Sequence, residues 1–526
     1  MTPEGVETEK KYDVDPGAAL PALQDIAGVE RVGEPYDADL EAVYFDTDDL
    51  ALASRRITLR RRTGGADAGW HLKLPAEPGA AAAPEKVARQ RREIHAPLGQ
   101  AAVVPGDLLA HLHVYLRGAE PAPVARLKTR RTTHALYGHD GVHLADFADD
   151  RVEAEPLGGA GLGGGGQKKE WREWELELVH GDAELFPAAA AAFDAAGAKP
   201  AAHESKLARV LGEAWPSGEA APDPGNGGQR PAGKKAPGSS VVTAYLAQQI
   251  GALLAIDPAV RLEDPDAVHQ MRSAARRMRS ALAVYRKLFG AAAVRRLRDE
   301  LQWLGRILGS PRDAEVMRER LRTHVAELPP EQARAVNHRL DRELGDRFDA
   351  GYRKVQEVLM ADRYFRLLDD LEDFRDNPPV SPAAAAPAGT VTRKRVKKTV
   401  RRLRRSHKAA LREKKGPEHE TALHQVRKDA KRLRHAAESA VPVHGKRATK
   451  LAKAARRQQK ILGEYHDSVV ARTLLDKMAR GPELPEQVTA AYGSLLETEA
   501  RITARTEAKY RKSRRKARKL LKRGVS

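Results

Sequence analysis

The chain contains no cysteine, which excludes disulfides, thiolate metal centres and a cysteine nucleophile and fits a reducing compartment. Aromatic residues make up only 5% of it, and they are not interleaved with its basic runs, which argues against base stacking as a designed mode of recognition. The start, MTPEGVETEK, lacks the basic and apolar regions of a signal peptide, and no apolar run approaches the roughly 20 residues of a membrane span. The expectation is a cytoplasmic protein with no membrane partner.

Positive charge is what the chain has in excess. A net charge of +20 and a pI near 9.9 make a polyanion the first electrostatic expectation: nucleic acid, an acidic membrane surface or a phosphate polymer. At 526 residues the chain exceeds one compact core, with roughly 100–200 residues per domain as the guide. Pro216–Ser240 and Arg375–Thr390 are rich in Pro, Gly and Ala and read as linkers. Before the first, short alternating runs such as ITLRRR, GWHLKLP, VARLKTRR and WELELV predict an antiparallel sheet or barrel. After it, long Ala/Leu/Arg/Glu segments carry helical spacing. The fold class is therefore α+β, strands first and helices second. GGAGLGGGGQ (Gly158–Gln167) lies between two strand runs and reads as a hairpin loop, because its glycines do not follow a strand and open a helix.

The strand runs gather polar and charged residues at every second position, so they share one face. Glu7, Glu9 and Lys11 do so in VETEKKYDV, Thr58, Arg60 and Arg62 in ITLRRR, His71 and Lys73 in WHLKL, Arg126, Lys128 and Arg130 in ARLKTRR, and Glu173, Glu175 and Glu177 in EWELELV. A solvated sheet also alternates polar and apolar, but it usually mixes signs, whereas several of these faces are nearly all acid or all base. Closed into a barrel with charged faces inward, basic rows would hold phosphate oxygens and carboxylates would hold a hard divalent ion bridging to them.

VETEKKY resembles the Glu-x-Glu-x-Lys signature of CYTH domains, the triphosphate tunnel metalloenzymes, and the resemblance extends over residues 5–212. Arg60 and Arg62 match the family's basic strand and Lys73 its strand lysine. Glu93, Lys128, Arg130, Asp146, the glutamates of WREWELEL and Lys206 fit the remaining positions. The resemblance implies an eight-stranded antiparallel β-tunnel with flanking helices that hydrolyses a linear triphosphate. In it Arg60, Arg62, Lys73, Lys128, Arg130 and Lys206 neutralise phosphates, and Glu7, Glu9, Glu173, Glu175 and Glu177 hold Mg2+ or Mn2+.

The second half contains a duplication. VHQMRSAARRMRS (Val268–Ser280) answers LHQVRKDAKRLRH (Leu423–His435). His269, Arg272, Arg276, Arg277 and Arg279 recur at identical offsets as His424, Arg427, Lys431, Arg432 and Arg434, and LGSPRDAEV (Leu308–Val316) recurs as LGEYHDSVV (Leu462–Val470). On a helix, His269, Arg272, Arg276 and Arg279 fall within an arc of roughly 80°. A basic stripe beside a core stripe is commonly just a solvated face, but two copies with aligned histidines favour a shared cationic groove. Zinc is a poor reading, since neither histidine has a paired His or Glu at i+4. These features resemble the CHAD domain, an all-α bundle of two half-repeats, over residues 241–520 with halves at about 241–374 and 391–520 and a linker at 216–240. That resemblance implies binding of inorganic polyphosphate. The basic runs Val391–Lys415 and Tyr510–Arg523 add non-specific nucleic-acid contact as a side expectation.

The combined expectation is metal-dependent hydrolysis of inorganic triphosphate or short polyphosphate in the tunnel, with longer polyphosphate held by the helices. The rivals are a non-enzymatic polyphosphate-binding protein and a nucleoside or thiamine triphosphatase or adenylate cyclase.

Overall fold

A computed structural model of the chain describes residues 4–75, 89–158, 167–216, 233–413, 416–480 and 484–525. The glycine-rich stretch after Gly158 and most of the Pro216–Ser240 stretch lie outside these residues. The chain divides into two compact units, 1–226 and 227–526.

The first unit contains β1 (Glu4–Val14), β2 (Arg31–Val32), β3 (Tyr36–Asp46), β4 (Thr58–Thr63), β5 (Gly69–Pro75), β6 (Arg89–Ala96), β7 (Ala122–Tyr137), β8 (His143–Pro156), β9 (Lys169–Leu178) and β10 (Lys199–Pro200). Eight of them close an antiparallel barrel in the order β1-β6-β5-β4-β3-β7-β8-β9, and β9 returns to β1 through the register Lys11↔Glu175. Outward side chains are apolar where a helix covers them. α1 (Gly106–Leu116) seals a cluster that includes Trp70, Leu72 and Ile94, and α2 (Leu185–Ala195) seals one that includes Tyr12, Phe147 and Trp174. Inward residues turn apolar at one end, where Leu207, Val210 and Leu211 of α3 (Lys206–Leu211) pack with Leu127, Val152 and Trp171. That end of the barrel is stoppered, and the charged residues line the remainder.

The second unit is helical: α4 (Gly238–Arg261), α5 (Ala267–Tyr285), α6 (Ala291–Ile307), α7 (Gly309–Val325), α8 (Pro330–Leu359), α9 (Asp362–Asp376), α10 (Ala388–Arg412), α11 (Pro417–Glu438), α12 (Val441–His444), α13 (Lys446–Ala479) and α14 (Glu486–Arg523). α4 and α10 begin equivalently after Pro237 and Pro387, neither with a side-chain cap, and exchange backbone bonds: Gly238 N to Ala386 O and Ala388 N to Ala236 O, both 2.8 Å. The repeat differs at one point. α13 runs straight through LGEYHD, whereas LGSPRD breaks the path into α6 and α7, because Pro311 has no N–H and its ring excludes a carbonyl four residues back.

Two sequence readings change here. Arg375–Thr390 is tied down, with Gly290 N donating to Pro379 O at 2.7 Å and Ser381 N to Leu288 O at 2.9 Å. And one helix, α4, is long and apolar enough to cross a membrane by length and composition, with a mean hydropathy of 1.4 over its window. Its buried Asp257 accepts from Arg261 at 2.5 Å and Tyr364 at 2.6 Å, and its buried Gln249 accepts from Arg277 at 3.2 Å, which are the contacts of a packed helix in a bundle.

Candidate functional site

The barrel interior holds a cavity of about 90 Å³. Its cations are Lys11, Arg60, Arg62, Lys73, Arg91, Arg131 and Lys206; its carboxylates are Glu7, Glu9, Asp67, Glu93, Glu175 and Glu177. Strand alternation puts them there: Glu7, Glu9 and Lys11 share the inner face of β1, Thr58, Arg60 and Arg62 that of β4, and Glu175 and Glu177 that of β9.

The charges are paired at close range. Lys73 Nζ donates to Glu7 at 2.6 Å. Lys11 lies 2.8 Å from Glu9 and also pairs with Glu175. Burial alone would keep Glu9 protonated, but Lys11 and Lys73 hold its pKa down at about 2. Glu93 is likewise driven below the usual carboxylate range: against the cost of burial, the His71 ring at 2.8 Å, Lys73 and Arg60 favour its charge. Glu177 goes the other way. Burial and the neighbouring Glu7 raise it to about 7, with Lys73 only partly opposing and Glu9 and Glu175 adding to the rise. Arg62 is pushed down to about 9 by burial beside Arg60 and Arg131.

Deeper in, Asp150, Glu173 and Glu175 bring ligand oxygens within 4.8 Å of one another, and this buried acidic cluster could bind a divalent metal. The ammonium of Lys206 sits among them, 2.8 Å from Asp150, 2.6 Å from Glu173 and 2.5 Å from Glu175. Arg131 closes the cluster with bonds of 2.7 and 2.6 Å to Asp150 and 2.6 Å to Glu175. The donors suit a hard cation in two respects. All are carboxylate oxygens, and Glu177, raised by burial and Glu7, marks a place where carboxylates outnumber their local cations. Glu7, Glu9 and Glu177 at the mouth side and Asp150, Glu173 and Glu175 farther in are the residues that would hold it.

Three expected positions need correction. Lys128 and Arg130 lie on the outer face of β7, both exposed, with Arg130 3.6 Å from Asp39; Arg131, one residue on, points inward. Asp146 shares a face of β8 with Asp150 and stands opposite Glu177, but it pairs with His143 at 2.8 Å; neither aspartate is among the residues lining the cavity, and Asp150 is the buried one, held by Arg131 and Lys206. Tyr44, Asp67, Arg91 and Ser205 also line the cavity and were not expected. Arg91 carried a signal, lying two residues from Glu93 on one strand face.

In the helical unit, Arg276 of α5 is pushed down to about 10 by burial and by the charges of Arg272, Arg427 and Arg279, so the stripes of α5 and α11 converge. Each copy seats one arginine over the repeated glycine. A side chain on Gly309 would meet Arg272 Nη2 at 3.2 Å, and one on Gly463 would meet Arg427 Nε at 3.8 Å. Arg272 Nε and Arg427 Nε are buried without a hydrogen-bond partner, although Arg272 Nη1 reaches Asp313 at 2.8 Å. His424 stacks on His466 with ring centroids 4.6 Å apart, and burial, with His466 beside it, lowers its pKa to about 4. His269 is also lowered, by burial and Arg312. Lys431 is half-buried. Arg279 is depressed by burial beside Arg298 and Arg432. The remainder turn to other side chains: Arg277 to Gln249 of α4, Arg432 to Asp429 at 2.8 Å and Arg434 to Glu438 at 2.7 Å.

Comparison with known proteins matches residues 6–210 to the CYTH domain and residues 244–476 to the CHAD domain. Uncharacterized proteins MT2285 and Rv2226 of Mycobacterium tuberculosis, strains CDC 1551 and H37Rv, are each 38% identical over 514 residues, spanning 95% of this chain and 94% of their own length. Among solved structures, PptA from Streptomyces chartreusis is 21% identical with a TM-score of 0.45, covering 53% of this chain and 99% of that one. The CHAD domain from the plant Ricinus communis is 26% identical with a TM-score of 0.44, covering 53% and 92%. A tunnel domain of this family supports a triphosphate-related function. The chain belongs to the proteins that join a CYTH domain to a CHAD domain.

Proposed function

We propose that the barrel hydrolyses inorganic triphosphate or short linear polyphosphate with Mg2+ or Mn2+, and that the helical unit binds longer inorganic polyphosphate. The observation that carries this reading is a closed barrel lined by interleaved cations and carboxylates and stoppered at one end by α3. Arg60, Arg62, Arg91 and Arg131 suit phosphate oxygens, since guanidinium forks bind them in pairs, and Lys11 and Lys73 neutralise further charge. A divalent ion, when bound by the carboxylates, supplies charge neutralisation at the phosphates. Of the chain's own groups, Glu177, raised to about 7 by burial and Glu7, suits accepting a proton from an attacking water where the other carboxylates hold the ion. The converging α5 and α11 arginines, with buried nitrogens left unpaired, suit a phosphate polymer.

The test is phosphate release from triphosphate with Mg2+ or Mn2+. Wild type turns over and Glu9→Gln does not, while both keep the same circular dichroism. Inactivity of folded wild type across divalent metals and candidate triphosphates supports a second reading, a binding protein in which the tunnel is an anion site. That reading draws on one observation: Lys206 already neutralises the inner carboxylates.

A further inference from the structure

The duplicated halves of the helical unit match in their stripes but not in their outer helices. α4, which starts the first half, carries one Arg and one Asp and no other charge; its counterpart α10 carries eleven Lys and Arg and no acidic residue. The bias continues around the same bundle. Lys446–Lys460 of α13 holds seven cations, and Lys509–Arg523 of α14 holds ten, again with no acidic residue in either. These twenty-eight charges exceed the net +20 of the whole chain, so the rest of the protein is acidic on balance.

The three segments pack their apolar faces into one core, with Val396, Leu403 and Ala410 from α10, Leu451 and Ala455 from α13, and Tyr510, Ala517 and Leu521 from α14. His407 of α10 touches both helices, bonding Gln458 of α13 at 3.0 Å and meeting the Tyr510 ring of α14 edge-on with centroids 6.0 Å apart. The cations therefore point outward. All are exposed except Arg395 and Arg514, which are half-buried. Among the described residues only Arg402, Lys509 and Arg511 of this set lie within 4.0 Å of a carboxylate. A net +28 jacket held against its own repulsion is a cost that a monomer has no folding reason to carry.

We propose that this jacket binds the backbone of double-stranded nucleic acid, at a site separate from the α5 and α11 stripe. The α13 and α14 rows stand on directly packed helices, whose axes lie about 8–10 Å apart, and the α10 row stands on a third helix of the same core. A single phosphate chain lies along one row, whereas the two backbones of a duplex flank grooves of about 6 and 12 Å and engage rows on two helices together. The segments offer no exposed aromatic ring for stacking, their one tyrosine, Tyr510, being buried. Their glutamines, Gln458 and Gln459, are buried or half-buried, so no amide is offered to adenine, and the density of cations favours phosphate contacts that carry no sequence information. An anionic membrane is disfavoured because the exposed faces of the three segments carry almost no large apolar residue, Leu411 being the exception.

The experiment titrates the full chain against a fluorescent duplex of random sequence and against long inorganic polyphosphate, over a salt series. One variant combines Lys397→Gln, Arg401→Gln, Arg404→Gln and Lys408→Gln, which share one exposed stripe of α10; a second combines Arg515→Gln, Lys519→Gln and Lys522→Gln on α14. Each should weaken duplex binding about tenfold or more near physiological salt and lower the slope of log K against log salt by about 0.9 per lost contact. Both should leave polyphosphate affinity and triphosphate turnover unchanged, and Arg272→Glu with Arg276→Glu should leave duplex affinity unchanged. Unaltered duplex binding in both jacket variants overturns the proposal. So does loss of duplex binding in the Arg272/Arg276 variant, which would make the two surfaces one, or loss of polyphosphate binding in the jacket variants, which would make the occupant a phosphate polymer. The α14 variant decides the matter should the α10 variant fail to fold.

Discussion

Replacing Lys206 with methionine keeps the length of the side chain and removes its charge from among Asp150, Glu173 and Glu175, which lie 2.5 to 2.8 Å from its nitrogen. The lysine and the three carboxylates are all buried, so the substitution strands negative charge in a low-dielectric interior. Removing one partner of such a buried set costs on the order of 3–5 kcal/mol. For a unit of this size a kcal/mol shifts the melting temperature by about 2–4 °C, giving a fall of roughly 6–20 °C in the transition of the N-terminal unit. The sign with pH follows from linkage. In wild type Asp150 and Glu175 are held below their usual range, burial being outweighed for Asp150 by Arg131 and Lys206 and for Glu175 by Lys11 and Lys206. Without Lys206 one counterweight to burial is gone and the folded-state values of Asp150 and Glu175 rise, so the variant gains less stability than wild type as pH rises through the carboxylate range. The deficit against wild type is therefore largest at pH 8 and shrinks toward pH 5. Mg2+ or Mn2+ should raise the variant's melting temperature more than that of wild type, because the vacated oxygens then accept the ion; at a hundredfold excess over Kd this amounts to about 2.7 kcal/mol. Scanning calorimetry at both pH values, with and without metal, is the assay. A variant that melts within about 2 °C of wild type at pH 8 would refute the reasoning.

The strand parity of β7 is tested by two neighbours: Arg131→Ala should reduce triphosphate turnover at least tenfold in steady-state assays, whereas Arg130→Ala, on an exposed outer face, should change it less than twofold. Arg272→Glu with Arg276→Glu should weaken long-polyphosphate binding, by less at high salt because exposed charges are screened over about 8–10 Å; unchanged affinity with a lowered melting temperature would make the stripe structural.

The barrel was legible where inward faces carried the denser charge. In β1, β4, β5 and β9 the charged set faces in, and period two located it. β7 misled for a physical reason. Its outer set, Arg126, Lys128 and Arg130, faces a layer of acids across the strands, with Arg126 near Glu41 and Glu155 and Arg130 near Asp39, so the richer face is a solvated ladder. The inner set, Leu127, Thr129 and Arg131, begins apolar because that end of the barrel meets α3. On β8 the three aspartates Asp146, Asp149 and Asp150 span both faces, and only closure of the barrel distinguishes them: Asp149 binds Arg172 outside, and Asp150 binds Arg131 and Lys206 inside. The duplication in the helices was readable from offsets alone. The engagement of Arg277, Arg432 and Arg434 was not, since Gln249 lies far from Arg277 along the chain and a carboxylate three or four residues away does not announce whether its arginine is engaged.

The bonds exchanged between Gly238 and Ala386 and between Ala388 and Ala236 bear on how the helical unit holds together. With proline before each helix and no side-chain cap, α4 and α10 each rely on the other half's backbone to satisfy a donor at the first turn. Tyr285 and Ser439 add a buried bond of 3.1 Å between the halves, and Arg320 and Ser468 both reach the buried Glu499, at 2.6 Å each, from opposite copies. Neither copy is thus a complete folding unit, although each carries its own stripe. Separating them would expose unsatisfied polar groups as well as apolar surface, so the duplicated segments melt and refold as one cooperative body, and the gene-level repeat is an obligate pair at the level of the folded chain.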